Sequence, residues 1–382
     1  MNILYDAAMP YAEAFFSEFG NAKAFEVGGL TPNTLIDIDA LFVRSTTKVD
    51  AELLKQANRL QFVATATAGF NHLDTAYLDS QNIKWYAAGG CNAVAVAEYV
   101  LSAIFQLALE DGFDPIEKKV AIIGAGNVGS ALSKILEAFS IDFILCDPPL
   151  EAKGDERTFG HFDEAMQADI ICLHTPLVKD GEFPSYHMFS KNEFESLKQT
   201  QYLINACRGE VVDNSALLAS FIQGKKLNVV LDVWENEPLI NHQLIPYTRL
   251  ATAHIAGHTL EGKARGTSMV YDAFCRHLNK QIVSKLEQFL PDFKNKLLVN
   301  SSSPSFNQLF HIVTSIYDIK KDDGIFRSRM AKSEAFAEIR KHYPVRRESS
   351  AVTLKFSAKE DSENYNKNVA KIAASIGFKI AN

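Results

Sequence analysis

The sequence predicts an α/β protein built around a doubly wound parallel sheet, with a second small α/β domain before it and a smaller α+β domain after it. Three observations carry this expectation. Short apolar runs alternate with helix-like stretches from Lys119 to His254, residues 1–95 show the same alternation, and the texture changes after Asn279. A chain of 382 residues is also longer than one hydrophobic core fills, so two or three domains are expected.

The central domain, residues 96–257, offers candidate strands at 120–123, 143–146, 170–173, 202–205, 229–233 and 250–253. Their near-continuous apolar character suits a parallel sheet buried on both faces. Helical patterns at 130–139 and 214–223 lie between them, with Asp213 as N-cap of the second. In the first domain, strands are expected at 3–5, 40–43, 62–65 and 83–86, and helices at 12–19 and 51–57. The apolar run 93–109 predicts a helix crossing between the two domains. A later helix, 262–279, is expected to return to the first domain, so that residues 258–285 complete it. Residues 286–382 form the third domain, with a linker at 300–304, a helix near 306–319, a strand at 352–356 and a last helix ending near Gly377.

Composition narrows the function classes. The apolar fraction of 47% and charged fraction of 22% are those of an ordinary soluble globular chain. No stretch approaches the roughly 20 unbroken apolar residues of a membrane helix, and the start has no signal-peptide pattern, so a cytoplasmic location with no membrane partner is expected. Five scattered cysteines show neither a CxxC pair nor metal-ligand spacing, which predicts free thiols and no metal. A formal net charge of −7 argues against a nucleic-acid partner, though not against a local cation patch for a small anion.

The run Gly124-Ala-Gly126-Asn127-Val128-Gly129 follows one strand and opens a helix. The first glycine permits a tight turn, the second lets backbone N–H groups approach a pyrophosphate, and the third lets helix and strand pack closely. Alone the pattern is weak, and a tight structural turn explains it equally. Its context between strand and helix, with Asp147 closing the next strand at the roughly 20-residue spacing, makes it a Rossmann-type dinucleotide site. Asp147 is placed to accept from ribose hydroxyls and to repel a 2′-phosphate, which favours NAD over NADP; the plainer alternative is a cap beside Pro148.

Three later strands are each followed by a polar group: Arg208, Glu237 and His254. In a parallel sheet all carboxyl ends share the rim that carries the glycine loop, so these three converge where a cofactor would lie. Their types fit oxidation of a small, negatively charged 2-hydroxy acid. His254 takes the hydroxyl proton, Glu237 fixes the tautomer of its ring, and Arg208 holds the carboxylate and polarises the developing carbonyl. Singly, each has a plain alternative: a surface arginine, a turn glutamate before Pro238, a capping histidine, with His258 as a rival base. Arg44-Ser45-Thr46-Thr47-Lys48 and Thr65-Ala66-Thr67-Ala68-Gly69 are further anion-binding candidates, for which solvated turns remain open.

With these residues in view the chain resembles the D-isomer-specific 2-hydroxyacid dehydrogenase family over nearly its whole length. The family's broad signature is the Arg, Glu and His positions. The segments Cys146-Asp-Pro-Pro149 and Thr259-Leu-Glu-Gly-Lys-Ala-Arg-Gly266, with the extra C-terminal domain, are similar to the branch acting on 4-phospho-D-erythronate. That resemblance implies NAD-dependent oxidation to 2-oxo-3-hydroxy-4-phosphobutanoate, a step of pyridoxal 5′-phosphate synthesis. It implies a flavodoxin-like substrate domain and a homodimer formed by the third domain. By the same resemblance Arg208 and Glu237 are catalytic and His254 is the proton carrier. Asp147, Thr175, Asp232 and Gly257 contact NAD, while Ser45, Thr67 and the neighbouring Arg44 belong to the substrate site. His258 departs from the family's pattern, which has a tyrosine that touches substrate there; an imidazole can supply the same hydrogen bond. Arg346 and Arg347 are expected to reach a substrate phosphate across the dimer interface. The alternatives are another D-2-hydroxyacid dehydrogenase of the 3-phosphoglycerate type, or a non-enzymatic NAD-sensing protein on the same scaffold.

Overall fold

A computed structural model describes residues 1–292, 296–300, 306–332, 336–357 and 363–381; residues 301–304 of the expected linker lie outside the described residues. Internal packing divides the chain into two units, residues 1–93 with 258–292, and residues 94–257 with 293–382.

In the first unit the strands are β1 (Asn2–Asp6), β2 (Asn21–Phe25), β3 (Ala40–Val43), β4 (Phe62–Thr65) and β5 (Lys84–Ala87), all parallel in the order β2-β1-β3-β4-β5. That is the flavodoxin-type order. Alternation along β3 explains why both faces are apolar: Ala40 and Phe42 enter one cluster, Leu41 and Val43 the other. The first cluster is aromatic, with Phe16 stacked on Phe42 at 4.1 Å and Phe274 edge-on to Phe42. Phe274 comes from the helix Leu260–His277, which belongs to this unit.

The second unit holds β6 (Lys119–Ile123), β7 (Asp142–Cys146), β8 (Ile170–Leu173), β9 (Tyr202–Asn205), β10 (Asn228–Leu231) and β11 (Leu250–Ala251), parallel in the order β11-β10-β9-β8-β6-β7. β6 therefore has β7 on one side and β8 on the other, which is the point where winding reverses and a crevice opens at the carboxyl ends. β10 and β11 stop earlier than the expected 229–233 and 250–253. Past Leu231 and Ala251 backbone bonds still run between the neighbouring segments, the Asp232 N–H donating to the Asn205 carbonyl and the Thr252 N–H to the Leu231 carbonyl, while the Thr252 hydroxyl donates to the Asp232 carboxylate.

The helix Ala93–Asp111 is the one described helix long and apolar enough to cross a membrane, and 83% of its apolar window is buried inside the protein. Burial on most sides accounts for its continuous apolar sequence. The C-terminal residues add a parallel sheet of β12 (Lys296–Asn300), β13 (Thr353–Ser357) and β14 (Lys379–Ala381). Where one helix was expected at 306–319 there are two, Phe306–Ile316 and Ile319–Ala331, because Asp318 accepts from the Lys320 N–H and starts a new one.

Candidate active site

The glycine loop is shaped by what its glycines exclude. Gly124 has φ +95°, and a Cβ there would meet the His174 carbonyl carbon at 2.6 Å and the Thr175 nitrogen at 2.7 Å, so the loop after β6 lies directly on the loop after β8. At Gly129 a methyl would collide with the Gly124 carbonyl, which locks helix to strand. A Cβ on Gly126 would meet nothing within 4 Å, so space is open before the helix Asn127–Ala138. This helix starts earlier than the expected 130 because Gly126 is its N-cap, leaving the first N–H groups, those of Asn127 and Val128 included, at the mouth of that space.

Asp147 at the end of β7 serves two loops at once. One oxygen accepts from the Leu150 N–H at 3.0 Å, capping the helix Pro148–Ala152, and the other accepts from the Ala125 N–H at 2.8 Å inside the glycine loop. Arg157 braces the same loop, donating to the Ala125 carbonyl at 3.0 Å and the Ser130 hydroxyl at 2.9 Å while paired with Asp155. Beside Asp147 an apolar cleft is lined by Gly124, Pro148, Thr175, Pro176 and Met188. Its shape and lining suit a flat heteroaromatic ring with a sugar at its mouth.

The strand order sets β9, β10 and β11 side by side, so their three following loops are neighbours. Gly209 joins the first two: a methyl there would strike the Trp234 carbonyl, so only glycine lets the Arg208 loop lie against the segment leading to Glu237. Glu237 joins the second and third. Its Oε1 accepts from the Trp234 N–H at 2.9 Å and its Oε2 lies 2.6 Å from His254 Nδ1. His254 adopts φ +55°, a left-handed conformation that L side chains rarely take and that its surroundings must hold. Its N–H donates to the Asp232 carbonyl at 2.7 Å. The buried Asp232 carboxylate accepts from the Thr252 hydroxyl and the Ile255 N–H, both at 2.7 Å, and from the Ala256 N–H at 3.0 Å.

With Nδ1 engaged by a carboxylate, His254 presents Nε2, which has no partner among the described residues, on a side chain 31% exposed. Arg208 is half-buried, and its hydrogen bond to the Cys207 carbonyl at 2.7 Å leaves the rest of the guanidinium without a protein acceptor among the described residues. A base oriented by an acid and a cation held on a neighbouring loop are the parts needed to remove a hydroxyl proton and bind a carboxylate.

In the first unit the register pairs Val43 with Thr65, so Ser45 and Thr67 follow adjacent carboxyl ends. Ser45 is exposed beside Arg44. Thr67 is tied down: its hydroxyl lies 2.7 Å from that of Thr65 and 3.0 Å from the Gly69 carbonyl. His72 Nε2 lies 2.9 Å from the Thr65 hydroxyl, and burial lowers the imidazole to a pKa of about 4, so this cluster is neutral. His258 stands immediately before Thr259, whose hydroxyl accepts from the Gly262 N–H at 3.0 Å and starts the helix Leu260–His277.

Sequence reasoning missed Gly209 as a spacer and Asp232 as the organiser of the His254 loop, and the structure corrects it on Arg346. That arginine is buried and donates to the Ala95 carbonyl at 2.7 Å and the Ala256 carbonyl at 3.1 Å in its own chain, so it is not presented to a partner's substrate; Arg347 is only half-buried. One His, Asp and Glu grouping outside the site, His187 with Asp213 and Glu235, was also unforeseen. Its oxygens are used internally: Asp213 caps the helix Asn214–Ile222, and Glu235 accepts from the Asn214 N–H and bonds His187.

Residues 104–256 match the family described as D-isomer specific 2-hydroxyacid dehydrogenase, NAD binding domain, and residues 289–368 match a domain of unknown function (DUF3410). An erythronate-4-phosphate dehydrogenase of Pseudoalteromonas atlantica is 48% identical over 93% of this chain and 95% of its own length. One from Tolumonas auensis is 43% identical over 98% of this chain and 99% of its own. The fold matches the NAD-bound 3-phosphoglycerate dehydrogenase of Entamoeba histolytica with a TM-score of 0.62 at 20% identity, covering 73% of this chain and 95% of that one. The chain belongs to the erythronate-4-phosphate dehydrogenase family, a branch of the D-isomer-specific 2-hydroxyacid dehydrogenases.

Proposed function

We propose that this dehydrogenase oxidises 4-phospho-D-erythronate at C2 with NAD, giving 2-oxo-3-hydroxy-4-phosphobutanoate. The observation that carries the reading is the 2.6 Å contact between Glu237 and His254 Nδ1, which leaves Nε2 as the open base. In this reading His254 Nε2 takes the C2 hydroxyl proton, and Glu237 stabilises the imidazolium that results. Arg208 binds the substrate carboxylate and draws charge toward the forming carbonyl oxygen. Ser45, Thr67, Arg44 and His258 contact substrate, and the substrate's phosphate would sit among the cations and hydroxyls they provide.

The residues present fit NAD. The open space before Gly126 and the helix start suit a pyrophosphate, with the loop from Gly124 through Asn127 and Val128 to Gly129 around it. The carboxylate of Asp147 beside the apolar cleft suits an unphosphorylated ribose, and Thr175 lines the same cleft. Asp232 and Gly257 belong to the nicotinamide end. Bound NAD supplies the acceptor for the C2 hydride. The test is NADH formation from 4-phospho-D-erythronate, 3-phosphoglycerate and D-lactate side by side; preference for either of the latter two overturns the substrate, and NADH binding without turnover on any overturns the activity.

The same reading puts the reaction in pyridoxal 5′-phosphate synthesis, so a deletion strain that grows normally without added pyridoxine contradicts it. A homodimer is proposed on the strength of the C-terminal residues that this chain has in common with its relatives, and light scattering of a monomer would refute it. A cytoplasmic location is supported by five cysteines that are all buried and free.

A further inference from the structure

The region matching a domain of unknown function is joined to the segment carrying His254 at two places. The first is the sheet edge. β11 is an edge strand, and its Ala251 N–H donates to Asp323 of the helix Ile319–Ala331 at 2.8 Å. Arg327 of that helix is held by the same Asp323 oxygen at 2.7 Å and donates to the Ile245 carbonyl at 2.7 Å and the Thr248 carbonyl at 2.8 Å. One helix thus holds both β11 and the chain entering it.

The second place lies past His254. Asp232 holds the N–H of Ala256, and Arg346 holds its carbonyl. The guanidinium is itself immobilised, lying 3.8 Å over the Tyr317 ring and donating to the Ala95 carbonyl. Tyr317 stacks on Tyr99, whose hydroxyl is 2.8 Å from that of Thr252. The Arg346 segment is docked by the Ser349 N–H on Glu98 at 2.8 Å and the Ser349 hydroxyl on the Ile376 carbonyl at 2.6 Å. In a planar trans peptide the carbonyl and the following N–H point in opposite directions. Fixing the Ala256 carbonyl toward Arg346 therefore aims the Gly257 N–H away from it, and that N–H meets no acceptor among the described residues.

We propose that Arg346 is a positioning residue for the dehydrogenase reaction: through the Ala256 carbonyl it aims the Gly257 N–H at the cofactor and fixes the loop that begins at His254. The C-terminal region thereby acts on catalysis within its own chain. This inference rests on the proposed roles of His254 and Gly257.

The test uses full-length Arg346→Met and Arg346→Lys, with His254→Asn alongside. Turnover of 4-phospho-D-erythronate is expressed per NADH-binding site, so that loss of folded protein does not register. Losing a buried charged donor should lower kcat about 10-fold and raise the NADH Kd several-fold in Arg346→Met, with Arg346→Lys between it and the parent. A merely structural role would lower Tm and leave kcat per site and Kd unchanged, and that result overturns the proposal. If Arg346→Met does not fold, Arg346→Lys decides by the same two readouts. An active His254→Asn enzyme would instead overturn the reading of the site, independently of what the Arg346 variants do.

Discussion

Replacing Glu98 with glutamine should make the protein more stable at pH 8 than at pH 5, relative to the parent. Glu98 is buried in the helix Ala93–Asp111, and burial, then the nearby Glu348, push its carboxyl from 4.5 up to about 7, against the opposing pull of Ser349 and Arg346. A folded pKa above the unfolded one means that the folded state binds the proton more tightly. Between about pH 4.5 and 7 the native chain holds the extra proton, so stability falls as pH rises through that window and the whole cost is present above it. The gap between 4.5 and about 7 corresponds to roughly 3 kcal/mol. Glutamine keeps the shape and an acceptor for the Ser349 N–H but carries no charge at any pH. At pH 5 parent and variant should melt within a degree or two of each other; at pH 8 the variant should gain ~5–10 °C, taking roughly 2–4 °C per kcal/mol. Thermal melts followed by circular dichroism at the two pH values suffice. An equal Tm difference at both, or a larger loss at pH 8, would show that Glu98 is not held as an uncomfortable buried carboxyl.

Three further outcomes follow from the site. Gly209→Ala drives a methyl into the Trp234 carbonyl, so it should cost ~1–3 kcal/mol in a melt and lower kcat by separating the Arg208 loop from that of Glu237. Glu237→Gln can hydrogen-bond His254 only in a changed tautomer and cannot stabilise the imidazolium, so kcat should fall by ~10²–10⁴ while NADH titration gives a near-parental Kd. Asp147→Asn keeps a capping oxygen for the Leu150 N–H but loses the charge that repels a 2′-phosphate; the ratio of kcat/KM for NAD over NADP should drop about 10-fold or more.

Much of this was legible in the sequence because the strands of the second unit are buried on both faces. β8 and β9 are four-residue runs with every side chain buried, and they coincide with the expected limits. β2, Asn-Ala-Lys-Ala-Phe, was not foreseen: as an edge strand it is mostly exposed, so its pattern carries no buried run. The helix Thr75–Ser80 escaped because it is a turn and a half long, although Asp74 caps it and gave a local signal. At the site, residue type and strand end were enough to nominate Arg208, Glu237 and His254. What the sequence hid was the work of residues beside them. A glycine after an arginine does not announce that it rests on the carbonyl of Trp234, past the next strand. The two aspartates nominated for cofactor contact also hold protein backbone: Asp147 ties its own helix to the glycine loop, and Asp232 ties three groups of the His254 loop. Arg346 was expected to reach a substrate phosphate across a dimer interface because its acceptors in its own chain, the carbonyls of Ala95 and Ala256, are far away along the sequence.

The central claim is that His254, oriented by Glu237, moves the proton in the oxidation. Single-turnover formation of NADH by His254→Asn, normalised to sites titrated with NADH, tests it most directly. The expected result is a rate at least about 100-fold below the parent with NADH affinity within a few-fold. A near-parental rate would contradict the account and hand the proton to another group.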